Sequence, residues 1–227
     1  MKIGVFDSGI GGEAVARDLR LHFPDAEIVT ASDHEHVPYG LRSVDEIITL
    51  TDNAIQPLLS SSCDVIVIAC NTATTLALPH LRVQYPTQLF IGIEPMIKTA
   101  AKQTRTHRII VCATLATLRS QRYHELKESY ASSCIVGEPD CSDWASMIES
   151  NTVNEQSIRN RLEPFLADKA DVIVLGCTHY HWIKSLIKTI ADNKATVLEP
   201  TASIAKQIQT TVLLRPQQTD RRDRHNS

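Results

Sequence analysis

The chain has 227 residues, 43% of them hydrophobic and 22% charged, enough to bury a sizeable core in one large domain or two small ones without covalent staples. Lys+Arg 23 against Asp+Glu 26 leaves a formal net charge of -3, which excludes a broad pull on a phosphate backbone and so disfavours general nucleic-acid binding. The longest apolar run, Val65 to Cys70, falls far short of the roughly 20 residues of a membrane span, and Met1 leads into Lys-Ile-Gly-Val-Phe rather than a secretory leader, so a cytoplasmic protein is expected.

Short runs rich in β-branched residues alternate with stretches of helical period, the pattern of an α/β fold in which helices cover both faces of parallel sheets. In chain order the expected elements are a strand from Lys2 to Phe6, a helix from Glu13 to His22, a strand from Glu27 to Ala31 and a helix from Val44 to Leu59. Ser43 and Glu46 form a capping box at the start of that second helix. There follow a strand from Asp64 to Ala69, a helix from Ala73 to Val83, and strands from Leu89 to Ile93 and Arg108 to Cys112. The remaining elements are helices from Leu118 to Tyr130 and Ile158 to Leu166, a strand from Asp171 to Leu175, a helix from His179 to Asp192 and a strand from Thr196 to Leu198. Beyond Arg215 the chain is polar to its end, with no apolar residue to offset the entropy of ordering it, and residues 215–227 are expected to be a solvated tail.

An internal echo organises these elements. Asp64-Val-Ile-Val-Ile-Ala-Cys70 matches Asp171-Val-Ile-Val-Leu-Gly-Cys177 at an offset of 177 − 70 = 107. Lys2-Ile-Gly-Val-Phe-Asp-Ser8 matches Arg108-Ile-Ile-Val-Cys-Ala-Thr114 at 114 − 8 = 106. Two strand pairs at nearly one offset predict two similar lobes, each ending one strand in a polar residue and another in a cysteine. The expected division puts residues 1–95 and 198–214 in one lobe and 96–197 in the other.

Six cysteines occur without a Cys-x-x-Cys pair, so neither a disulfide framework nor a zinc ribbon is indicated, and Cys63, Cys112 and Cys134 read as small core residues. Cys70 and Cys177 differ because each stands where an apolar strand stops and a helix begins, the edge at which open α/β sheets bind ligands. Free N–H groups at the following helix starts, Asn71-Thr72 and Thr178-His179, are expected to favour the thiolates. Two such thiols suit the removal of a proton from one face of a carbon acid and delivery of another to the opposite face, which inverts a stereocentre with no cofactor. Zinc held by these cysteines with His179 and His181 is the weaker reading, since there is no second close ligand pair. Gly9, Gly11 and Ala14 also satisfy the Gly-x-Gly-x-x-Ala of a dinucleotide site, with Asp33 at ribose distance, but a nicotinamide site leaves both cysteines without a use. In the thiol cleft, Asp7 would meet a substrate ammonium or draw a proton, while Ser8 and the glycine N–H groups hold a carboxylate.

At these residues the sequence resembles the glutamate racemases. The resemblance rests on Phe6-Asp7-Ser8-Gly9-Ile10-Gly11-Gly12, Val37-Pro38-Tyr39-Gly40, Ala69-Cys70-Asn71-Thr72-Ala73-Thr74 and Leu175-Gly176-Cys177-Thr178-His179-Tyr180, in that order. It implies a two-lobed α/β fold with the active site between the lobes, Cys70 and Cys177 as acid/base catalysts assisted by Asp7 and His179, and no cofactor or metal. It further implies an amino-acid pocket lined by Asp7, Ser8, Pro38, Tyr39, Gly40, Asn71, Thr72, Thr178 and His179, with Thr114 and Glu149 as less sharply matched members. The expected substrate is glutamate, for peptidoglycan synthesis, and a homodimer is common in the family. Aspartate or another amino acid stays open, because His34-Glu35-His36 departs from the family's usual Thr, Ala and Arg before Pro-Tyr-Gly. A binding or regulatory protein on the same scaffold also stays open, since some glutamate racemases bind DNA gyrase.

Overall fold

The structure is a computed structural model that describes residues 1–213; the expected tail lies outside them. Its first half runs β1 (Lys2–Asp7), α1 (Gly11–His22), β2 (Glu27–Ser32), 3-10 turns His34–His36 and Tyr39–Leu41, α2 (Val44–Ser60), β3 (Val65–Ile68), α3 (Asn71–Leu76), α4 (Leu78–Gln84) and β4 (Phe90–Gly92). Its second half runs α5 (Ile97–Gln103), β5 (Arg108–Ala113), α6 (Leu115–Arg119), α7 (Gln121–Ala131), β6 (Ile135–Gly137), α8 (Trp144–Glu149), α9 (Glu155–Ala167) and β7 (Val172–Gly176). A 3-10 turn Thr178–Ile183, α10 (Lys184–Ala191), β8 (Thr196–Leu198) and α11 (Thr201–Leu213) complete it.

All strand pairs are parallel and form two four-stranded sheets, β2-β1-β3-β4 and β6-β5-β7-β8. The order is the same in both, so the strands paired by the sequence echo, β1 with β5 and β3 with β7, hold equivalent central positions. Their side chains alternate between two buried faces, as a period of two requires. In the first sheet Phe6, Ile66 and Ile68 pack under α2, α3 and α4, while Ile3, Val5, Val65 and Val67 pack under α1 and α11. In the second, Ile110, Cys112, Ile173 and Leu175 meet α8, α9 and α10, and Ile109, Val111, Val172 and Val174 meet α5 and α7. Burial on both faces is why these strands read as unbroken apolar runs rather than as alternating ones.

Several expected elements changed form. The helix expected from Ala73 to Val83 is two helices, α3 capped by Cys70 and α4 with Pro79 in its first turn, where a missing N–H costs nothing. The helix expected from Leu118 to Tyr130 is likewise divided, because Thr114 and Ser120 each cap a start of their own. The segment from His179 opens as a 3-10 turn, and α10 ends at Asp192, whose φ of 46 stops the helix. The unexpected elements are mostly short: β6 has three residues, α8 six and α5 seven. The capping box at α2 is present, with Ser43 N donating to Glu46 at 2.9 Å and Glu46 N to Ser43 Oγ at 3.3 Å. All six cysteines are free, and no described helix is long and apolar enough to cross a membrane.

Candidate active site

The carboxyl ends of β1 and β3 face those of β5 and β7, and the residues that follow these strands meet between the sheets. Ser8 follows β1, and its hydroxyl lies 3.3 Å from Cys70 Sγ. Cys70 follows Ile68 and Ala69, and its Sγ accepts from Ala73 N at 3.5 Å as the N-cap of α3. Next to it, Asn71 donates Nδ2 to Ile93 O at 3.0 Å, while its buried Oδ1 has no partner among the described residues and is a free acceptor.

On the second sheet Cys177 follows β7 in extended conformation, φ -150 and ψ 136, with no capping bond from its side chain. Its Sγ lies 3.7 Å from His179 Nδ1, and His179 Nε2 lies 2.6 Å from Glu149 Oε1. The carboxylate can only accept, so Nε2 carries the hydrogen, and in a neutral ring Nδ1 then presents a lone pair to the Cys177 thiol. Ile10 N donates to the same Glu149 oxygen at 3.2 Å, which ties α8 to the loop after β1.

Two further bonds cross between the sheets. Thr178 Oγ1 donates to Asp7 Oδ1 at 2.7 Å, while Asp7 Oδ2 accepts from Gly9 N at 2.9 Å, so both carboxylate oxygens are engaged. Thr72 and Thr114 hydroxyls lie 2.9 Å apart, and Thr114 donates to Thr117 Oγ1 at 3.0 Å. The backbones approach closely at the glycines. A Cβ on Gly11 would stand 2.5 Å from Thr178 Cβ, one on Gly40 would stand 2.7 Å from Thr114 Cβ, and one on Gly9 would collide with Glu149 and His179. The Gly9-x-Gly11 loop therefore packs against the opposite lobe and leaves no cradle for a pyrophosphate, which removes the structural basis of the dinucleotide reading.

The structure thus brings together Asp7, Ser8, Tyr39, Gly40, Cys70, Asn71, Thr72, Thr114, Glu149, Cys177, Thr178 and His179. Pro38 stands half-buried as the residue before the turn that carries Tyr39 and Gly40. Sequence reasoning missed Thr117, whose signal was a Thr114-x-x-Thr117 spacing at a helix start, and the Ile10 amide, which no sequence pattern advertises. Among the described residues no cluster of His, Cys, Asp and Glu is placed to hold a metal ion.

The expected preference for thiolates is corrected. Burial, and secondarily the Asp7 carboxylate, pushes the Cys70 thiol up to about 11, with partial offset from the Ser8 hydroxyl and the Ala73 and Thr72 amides. Burial pushes Cys177 well above its usual range, and the nearby Cys70 adds to it; the His179 and Tyr180 amides oppose the rise. Desolvation of a charged sulfur outweighs a few aligned N–H groups when the sulfur is removed from water. Both cysteines are therefore thiols at neutral pH.

Two parallel sheets of one order, with a cysteine at the same strand end of each and both sulfurs buried within reach of each other's charge, define a class of two-thiol α/β isomerase scaffold. Residues 13–208 match the Asp/Glu/Hydantoin racemase family, and the chain belongs to that family. It is 38% identical over 211 residues to the glutamate racemase of Herpetosiphon aurantiacus, a match covering 91% of this chain and 83% of that one. Its fold is similar to Escherichia coli glutamate racemase in complex with L-glutamate and the activator UDP-MurNAc-Ala, with a TM-score of 0.86 and 27% identity over 94% of this chain and 82% of that one. It is also similar to Francisella tularensis glutamate racemase in complex with D-glutamate, with a TM-score of 0.79 and 28% identity over 93% and 81% of the two chains.

Proposed function

We propose that this chain interconverts L- and D-glutamate without a cofactor, by proton transfer between the substrate α-carbon and the thiols of Cys70 and Cys177, and that its product is D-glutamate for peptidoglycan. The observation that carries this reading is the pair of buried cysteines at equivalent strand ends of two like sheets, near enough for Cys70 to act on Cys177 through charge. The substrate's α-ammonium would supply the positive charge that the buried thiols lack, with the Asp7 carboxylate and the free Asn71 Oδ1 as its acceptors. The substrate carboxylates would meet the Ser8, Thr72, Thr114 and Thr178 hydroxyls and the Tyr39-Gly40 edge.

For L-glutamate, His179 Nδ1 takes the Cys177 proton and Glu149 steadies the resulting imidazolium. The Cys177 thiolate lifts the α-proton, and the electron pair left on the α-carbon is delocalised into the adjacent carboxylate. The Cys70 thiol then gives its proton to the opposite face and becomes thiolate. After D-glutamate leaves, the proton held on His179 returns through solvent to Cys70 and restores both thiols; the D-enantiomer follows the same path in reverse, with Cys70 as the thiolate and Cys177 as the proton donor. The proposed lobes are residues 1–95 with 198–214, and 96–197. The packing of Ile204, Ala205 and Ile208 of α11 with β1 and α1 supports the return of the chain to the first lobe, and β8, which pairs Leu198 with Val174, puts that return after Leu198.

Incubating the protein with L- and D-glutamate in deuterated water, beside parallel incubations with aspartate, tests the reading. Both glutamate enantiomers should lose their α-proton signal and converge on the racemate. Exchange confined to aspartate would move the substrate assignment, and no exchange with any amino acid would sink the racemase reading.

A further inference from the structure

The loop that carries Tyr39 is held by a carboxylate and an imidazole that the reaction itself does not use. Tyr39 is 1% exposed and packs in one cluster with Phe6, Cys70 and Ala73, its ring 6.4 Å from that of Phe6. Its hydroxyl donates to Asp33 Oδ2 at 2.7 Å. The other oxygen, Asp33 Oδ1, lies 2.7 Å from His36 Nδ1, so the ring nitrogen donates and both carboxylate oxygens are satisfied. Arg42 Nε donates to His36 O at 2.6 Å and pins the 3-10 turn from the far side. The chain between His36 and Arg42 is Val37-Pro38-Tyr39-Gly40-Leu41, and Gly40 presses against Thr114, which is bonded to Thr72 two residues after Cys70.

Geometry orders the roles. Asp33 is mostly buried, with a side chain 12% exposed, and is the sole carboxylate bonded to the phenol among the described residues; the His36 side chain is 41% exposed. A charge-assisted bond to a partly buried carboxylate is shorter and stronger than a neutral one. Losing the imidazole leaves Asp33 free to rotate and the phenol without a fixed acceptor. The edge of the pocket then shifts while the groups hydrogen-bonded to the two sulfurs stay in place, and a shift of about 1 Å in a positioning element is enough to weaken binding of an oriented substrate. Both residues lie outside the motifs that carry the family resemblance.

We infer that Asp33 and His36 act as a positioning pair that fixes the Tyr39 side chain, and with it the Pro38-Tyr39-Gly40 wall of the amino-acid pocket, through the Tyr39–Asp33–His36 hydrogen-bond chain. The inference rests on the racemase reading above. It predicts a defect in substrate binding rather than in proton transfer.

The test measures kcat and KM for glutamate racemisation, together with thermal midpoints, in wild type, His36→Ala, His36→Asn and the control Glu35→Gln. Asn places its Nδ2 where the histidine carries Nδ1, so it can restore the bond to Asp33. Glu35 is exposed on the same turn. Removing the His36 bond should raise KM about three- to tenfold with kcat held within about twofold, the pattern of lost uniform binding. His36→Asn should recover most of the wild-type KM, and Glu35→Gln should match wild type throughout. An unchanged KM in His36→Ala, a fall in kcat at constant KM, or an asparagine variant as impaired as the alanine one would each overturn the positioning pair. Wild type inactive on both enantiomers would instead overturn the racemase reading and take this inference with it. Because His36 lies at the surface, His36→Ala should keep its thermal midpoint. Should Asp33→Ala, added as a harsher variant, unfold, the histidine series still decides the question.

Discussion

The two cysteines stand at equivalent positions in equivalent sheets, both buried near Asp7 with two backbone amides beside them, yet the side chains they touch differ. Cys70 caps a regular helix, accepts from a backbone amide at 3.5 Å and touches a serine hydroxyl at 3.3 Å. Cys177 is extended, caps nothing, and faces an imidazole at 3.7 Å that is bonded in turn to a carboxylate at 2.6 Å. The repeated scaffold thus sets where each sulfur sits, while the residues one strand or one helix away decide how each sulfur exchanges its proton. In the proposed reaction Cys177 has an imidazole behind it to take its proton, whereas Cys70 is bonded to a hydroxyl and a backbone amide, with the Asp7 carboxylate acting on it through its charge. Mirror-related positions do not imply mirror-related chemistry.

The largest test of that comparison replaces each sulfur in turn. Cys70→Ser and Cys177→Ser should each lose racemisation by at least the roughly 10² to 10⁴ credited to general acid-base catalysis. Each should retain elimination from one hand only of a glutamate analogue carrying a β-leaving group, with Cys70 serving the D-enantiomer and Cys177 the L-enantiomer. The same hand preference in both variants would replace two bases with one.

The raised thiols predict a pH dependence of the empty protein. A thiol with a folded pKa above its ordinary value of 9.0 binds its proton more tightly in the native state. Its contribution is complete below pH 9 and is lost as pH climbs towards the folded value of about 11 for Cys70. The sulfur is fully buried, so the difference is on the order of 2 to 3 kcal/mol. Denaturant titrations between pH 8 and 11 should show wild type losing stability more steeply than Cys70→Ser, which lacks this thiol. Parallel curves for the two proteins would show that Cys70 is not desolvated as described. Saturating glutamate should shallow the wild-type slope if its ammonium favours a thiolate.

A smaller effect isolates the Cys177 side. Glu149→Gln keeps the shape at His179 but removes the charge that steadies an imidazolium, and turnover should fall about tenfold, within the range of one charge-assisted bond. Racemisation has an equilibrium constant of one, so kcat/KM must fall equally in both directions. The asymmetry has to be read elsewhere: the primary isotope effect with α-deuterated L-glutamate should rise more than that with the D-enantiomer. Equal rises would mean that Glu149 serves both sulfurs alike.

Much of this arrangement was legible in the chain itself. Val65 to Ile68 and Val172 to Leu175 announce doubly covered strands by their unbroken apolar character, and the offsets of 107 and 106 announce that the sheet is built twice. The cysteines that end those strands, with the Asp7-Ser8 and Thr178-His179 pairs beside them, follow from the same pattern because a strand's carboxyl end is fixed by local sequence. Contacts between the lobes were not legible: Thr178 to Asp7 spans 171 residues and Ile10 to Glu149 spans 139. Nor was the proton affinity of the sulfurs. A helix start is a local feature that argues for thiolates, but desolvation depends on everything packed around the sulfur, and burial won. The glycines show the same division, since Gly9 and Gly11 read as a phosphate loop in one dimension and become, in three, the surface on which the second lobe closes. Sequence determined the strands, their repetition and the chemistry at their ends; only tertiary structure decided what each end faces, because proximity and dielectric are properties of the assembled fold.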